Sequence, residues 1–238
     1  MTHGHSPAEV SARLSVPQRP GHLRDMIYGA IDGAVTTFAL VSGVQGAGFS
    51  PTIIVTLGLA NVLADGFSMA AANYSGTKAE VDDRRRLRRI EEEQIADNPE
   101  GELEELRQIL ALKGLSGSVL ENAANAIAED RDKWVEMMLV DEYGLPPASP
   151  RPLAAAIATF VAFLAAGLVP LLPYLFEMTQ AFPTSIAVTA LVFFLIGTSK
   201  SRWSLAPWWR SGLETASIGA IAAAIAYFTG AVVQSVVG

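Results

Sequence analysis

Glu102 and Glu105 stand three apart in a stretch with helical periodicity, which puts two carboxylates on one helix face within reach of a single cation. On an exposed helix such a pair more often only solvates a surface, so spacing alone leaves both readings open. Glu91, Glu92 and Glu93 add acids just upstream, but three in succession point in three directions, so one or two at most can join a shared site. Gln94 beside them offers a neutral amide oxygen. Further on, Met138 and Glu142 are four apart and share a face, with Glu136 and Met137 on adjoining rows. A methionine there is commonly core packing. Its alternative is a mixed carboxylate and thioether shell, which suits borderline divalent metals better than Mg²⁺ or Ca²⁺.

A second set of residues interrupts strongly apolar segments. Asp32 and Asp65 are each embedded in one, and an ionisable group in hydrocarbon is costly and usually lines a pathway. Asn61, Asp65 and Met69 are spaced by four and decorate one stripe of a helix. The structural alternative is a local irregularity at Asp32–Gly33 and tight helix packing at Asp65–Gly66. Glu177 and Glu214 fall near the ends of apolar segments, where an acid is ordinary. His3, His5 and His22 lie in a polar leader without the fixed spacing of a metal site, and the chain has no cysteine. Disulfides and thiolate chemistry are therefore excluded, and any metal must be held by oxygen, imidazole or thioether.

The elements that carry these residues follow from composition. Half of the 238 residues are hydrophobic and the mean hydropathy is +0.32, which points to a membrane protein. A helix needs about 20 apolar residues to cross the bilayer core, and five stretches qualify: Met26–Gly48, Thr52–Tyr74, Pro152–Phe176, Pro183–Ser199 and Ser211–Val237. The expected organisation is a polar leader at 1–25, two spans at 26–75, a polar insert at 76–150 and three spans at 151–238. The leader and the acid and glycines of the first span speak against a cleavable signal peptide. With a cytoplasmic N-terminus, five spans place every Lys and Arg on the cytoplasmic side, in residues 1–25, 76–151 and 200–210. The net charge of −7 advertises no nucleic-acid groove, and the Arg84–Arg89 cluster, just beyond a span, is expected to face anionic lipid. Gly29, Gly33, Gly43, Gly46 and Gly48 permit close helix approach in the first span, a dimer axis included.

The insert holds eighteen acidic residues against ten basic ones, yet its cap signals describe a folded helical cluster. The second span continues into it without a proline. Asn98–Pro99 reads as an N-cap and first helical residue, and Gly114 as the stop after a stripe of Leu103, Leu106, Ile109 and Leu110. Ser118 and Glu121 have capping-box spacing for the next helix. Asp132 is placed to cap a last one that carries Trp134, Met137, Met138 and Leu139 to Gly144.

At Asp32–Gly46 (DGAVTTFALVSGVQG) and Leu63–Tyr74 (LADGFSMAAANY) the chain resembles the vacuolar iron transporter family. The likeness continues through EEEQI and ELEEL in the insert to Trp134–Leu145 (WVEMMLVDEYGL), covering residues from about 24 to 236. It implies an all-α integral membrane homodimer, with five transmembrane helices per protomer and a cytoplasmic helical metal-binding domain between helices 2 and 3. It also implies export of Fe²⁺, with Mn²⁺, in exchange for protons, the metal being substrate and not cofactor. The family's pathway aspartate and methionine match Asp32 and Met69, and its metal-binding residues match Glu91, Glu102, Glu105, Met138 and Glu142. The pathway glutamate of the plant-type members falls on Asn61, for which Asp65 is the substitute one turn on. A further family glutamate falls on Gln94. The compactness of the chain suits a bacterial plasma membrane. The rival reading is a membrane-anchored metal sensor or scaffold that transports nothing, against which Asp32 and Asp65 argue. A di-iron oxidase would require Glu-x-x-His pairs, and the insert has no histidine.

Overall fold

The structure is a computed structural model that describes residues 4–15, 21–201 and 205–237. His3, Arg19 and Arg202 fall outside the described residues. The described helices are α1 (Pro7–Ser15), α2 (Leu23–Gly46), α3 (Pro51–Asp97), α4 (Pro99–Leu112), α5 (Gly117–Ala128), α6 (Arg131–Asp141), α7 (Pro152–Gly167), α8 (Leu172–Leu175), α9 (Ala181–Lys200) and α10 (Trp208–Val237). The chain divides into two compact units, one of Met1–Pro20 and Thr77–Arg151, the other of Gly21–Gly76 and Pro152–Gly238.

In the second unit, five segments are long and apolar enough to cross a membrane: α2, α3, Pro152–Leu175, α9 and α10. Large apolar side chains stay exposed along them, among them Leu63, Phe67 and Phe228. Such a surface is stable only against hydrocarbon, so the chain is an integral membrane protein. Inside the unit Ala34, Phe38, Ala166, Phe193 and Ala223 form one apolar cluster, and Val41, Ile54, Val62, Leu171 and Tyr174 another. The third span is not the single helix expected over Pro152–Phe176. It breaks after Gly167 into a 3-10 turn at Val169–Leu171 and the short α8. Pro170 and Pro173 explain this, since neither can donate a backbone hydrogen bond, and the Pro170 carbonyl accepts one from Ser185 Oγ at 2.7 Å.

The glycines of α2 are occupied within the protomer. A Cβ at Gly33 would overlap the Phe163 carbonyl of α7, and one at Gly46 would overlap the Tyr227 carbonyl of α10. The expectation that this stripe serves a dimer axis is therefore corrected for Gly29, Gly33, Gly43 and Gly46, all of which lie close to α7 or α10.

In the first unit the last part of α3 packs with α4, α5 and α6 around Ile95, Leu106, Leu110, Ala124, Trp134, Val135, Met138 and Leu139. The Asn98 side chain accepts from Gly101 N at 3.2 Å with Pro99 leading α4, as its sequence predicts. Gly114 takes the left-handed φ of +93° just past that helix. Two caps are shifted. The N-cap of α5 is Ser116, not Ser118, because Gly117 adopts φ +56° and turns the chain early, while Glu121 is held by Arg107 at 3.0 Å. The cap of α6 is Asp130, which accepts from Lys133 N at 3.3 Å, because Asp132 is drawn to Arg88. Arg84 binds the Pro146 carbonyl at 2.7 Å and Glu136, and Arg88 binds Glu92 and Asp132. These two brace α3 against α6 and the segment after it.

Candidate metal centre

Three local features aim the acids of the helical unit at one another. Glu91 lies on the inner face of α3 and is 0% exposed, while Glu92 is turned outward to Arg88 and Glu93 and Gln94 are exposed. The Asn98 cap starts α4 so that Glu102, in its first turn, is 5% exposed, and Glu105 one turn on is exposed. An acid in the first turn also favours the positive end of the helix dipole. α6 ends with Glu142 as C-cap, Tyr143 N bonding the Met138 carbonyl at 3.3 Å and Gly144 at φ +67°. Met138 is fully buried in the cluster with Leu106, Val135 and Leu139, one turn before Glu142.

Four of these carboxylates act on one another electrostatically. Burial, and then Glu102, Glu142 and Glu105, push Glu91 up from 4.5 to about 8. Burial and then Glu105 raise Glu102, and burial, Glu105 and Glu102 raise Glu142. Tyr143, packed beside them, is pushed up to about 12 by burial and by Glu142 and Glu91. Lys and Arg are absent from the groups acting on these acids. As ionised groups Glu91 and Glu102 are acceptors only, so both Glu91 oxygens and Glu102 Oε2 are buried without a donor. They are joined when the raised Glu91 keeps its proton and donates it to Glu102. Among the described residues no three Asp, Glu or His side chains form a closed coordination shell. Like charges spread apart or share a proton, and a divalent cation would remove the repulsion that spreads them.

The residues expected in the spans also meet. Asp32 of α2 and Asp65 of α3 are near enough to repel one another. Asn61 is partly buried with its Nδ2 lacking a partner, and Met69 is partly buried on the same stripe. Sequence reasoning missed the next member of that stripe. Asn73 donates from Nδ2 to Asp25 Oδ1 at 3.0 Å and to Thr159 Oγ1 at 2.7 Å. The signal was present, because 61, 65, 69 and 73 continue one spacing, and Asp25 precedes Asp32 by seven residues, two helical turns. Tyr143 was missed as well, and nothing in its spacing marks it.

The sequence model of the VIT family matches residues 23–231. The chain is 38% identical over 217 residues to vacuolar iron transporter 1 of Tulipa gesneriana, which covers 90% of this chain and 88% of that one. It is 35% identical over 215 residues to vacuolar iron transporter 1 of Arabidopsis thaliana, covering 89% and 86% respectively. With the vacuolar iron transporter of Toxoplasma gondii it shares 30% over 229 residues, 91% of this chain and 76% of that one. Both the carboxylate group of the helical unit and the acids of the spans fall inside the matched region, and the chain belongs to the VIT family.

Proposed function

We propose that this chain exports divalent metal ions, Fe²⁺ and also Mn²⁺, from the cytoplasm in exchange for protons. It works as a homodimer in a bacterial plasma membrane, with its N-terminus and the insert at 76–150 in the cytoplasm. Members of its family are transporters, which makes it a transporter and not an enzyme. The names of the relatives support iron as cargo, and carboxylate oxygens accept Mn²⁺ as well. Glu91, Glu102, Glu105, Met138 and Glu142 collect the ion, and Asp32, Asp65 and Met69 pass it across, with Asp65 in place of a carboxylate at Asn61.

The observation that carries this reading is the buried Glu91–Glu102 pair with Glu105 and Glu142 beside it. Such a group is costly to keep in a fold, and trading its proton for a metal ion is the chemistry it is suited to. The test is uptake of Fe²⁺ or Mn²⁺ into inside-out vesicles carrying a pH dye in the lumen. Wild type takes up metal as the lumen turns alkaline, and Asp32→Ala combined with Asp65→Asn abolishes both signals. Undiminished flux in the double variant overturns the pathway. A wild-type protein that binds metal and moves none belongs instead to the sensor or scaffold class.

A further inference from the structure

One side chain of α3 ties α2 to α7 on the same stripe that carries the acids of the spans. Asn61, Asp65, Met69 and Asn73 form a single stripe of α3, and Asp25 and Asp32 share a face of α2. The two stripes are linked at two levels: Asp32 and Asp65 are within electrostatic reach of one another, and about 11 Å away, two helical turns along, Asn73 contacts Asp25 at 3.0 Å. The second level lies where α2 begins. There the Asn73 amide uses its two hydrogens on two different helices, Asp25 Oδ1 of α2 and Thr159 Oγ1 of α7. Thr159 Oγ1 donates in turn to the Ala155 carbonyl at 3.0 Å. The other Asp25 oxygen lies 3.2 Å from His22 Nδ1, and the Asp25 side chain is 16% exposed.

We propose that Asn73 is a gate: its amide clasps Asp25 to Thr159 across the end of the α2–α3 seam, and a divalent cation opens the seam by replacing that amide as the partner of Asp25. The proposal rests on the transport reading above. Its logic is chemical. A carboxylate in a partly buried site needs a positive partner; an amide N–H supplies a modest one, and a passing cation a stronger one. A lysine at this position would hold the clasp shut against the cargo, and a smaller residue would leave it open. Asn73 is therefore a positioning residue that governs access to Met69 and Asp65.

The chain has no cysteine, so Met69→Cys provides a single reporter thiol four residues beyond the clasp. A cationic, membrane-impermeant thiol reagent is applied to inside-out vesicles holding the full-length protein. Adding Asn73→Ala accelerates labelling about tenfold, the change expected for losing a charge-assisted hydrogen bond. Thr159→Val, which removes one of the two partners, gives a smaller acceleration. Ala223→Cys, buried in α10, serves as control and labels at the same rate with and without Asn73. Equal labelling at Met69→Cys in both backgrounds overturns the gate, as does acceleration of the control thiol, which would mean general loosening. Mn²⁺ flux of the wild type is measured in the same vesicles. A gate failure with intact flux condemns the gate alone, and a labelling response without flux condemns the transport reading while the clasp stands as a barrier.

Discussion

Binding of Mn²⁺ to the helical unit is expected to release close to one proton per ion from Glu91 at neutral pH and almost none at pH 9. With burial and three neighbouring carboxylates holding it at about 8, Glu91 is protonated in about 0.9 of molecules at pH 7 and about 0.1 at pH 9. The proton must leave before the oxygen can bind the ion. From this one group the apparent affinity then falls about tenfold between pH 9 and pH 7, and about tenfold again by pH 6. Glu102 and Glu142 are raised as well, by burial and by the neighbouring carboxylates. Calorimetric titration of the full-length protein in detergent, repeated in buffers of different ionisation enthalpy, counts the protons directly. Glu91→Gln carries no proton to lose, so its release at pH 7 drops by close to one per ion and its affinity loses most of its slope between pH 7 and 9. A release that stays constant across that range, or that survives Glu91→Gln, refutes the assignment of Glu91 as the proton that metal displaces.

Other outcomes follow from the same geometry. In metal-free protein, Glu91 binds a proton when folded up to pH of about 8 but only to 4.5 when unfolded. Its stabilising contribution is therefore complete below 4.5 and is lost as pH rises to about 8, by no more than about 5 kcal/mol. Denaturant unfolding of the helical unit, followed with chelator present, shows this decline, and Glu91→Gln flattens it. Gly230→Val forces a side chain into the Gly43 carbonyl, where α2 meets α10 away from Asp32 and Asp65. Overpacking of this kind costs about 1–3 kcal/mol, read as a fall in Tm of about 2–4 °C for each kcal/mol.

Properties that depend on a few neighbouring residues could be read from the chain alone. Five spans were legible because transfer to hydrocarbon adds up residue by residue along a segment, and the Asn98–Pro99 start of α4 because a cap is decided within one turn. The spacing of Glu102 with Glu105, and of Asn61, Asp65 and Met69, likewise placed them on common faces. What needed the tertiary structure was the choice of partner. Asp130 prevails over Asp132 because Arg88 arrives from another helix to claim Asp132, and Ser118 loses Glu121, its capping-box partner by spacing, to Arg107. Glycines in α2 announce close approach, but only packing shows that α7 and α10 take it up. Of Glu91, Glu92 and Glu93, chemically identical in sequence, the fold turns one inward against Glu102 and leaves Glu92 to Arg88. Burial is a property of all the neighbours at once, and it is burial that makes a carboxylate hold its proton until a metal ion displaces it.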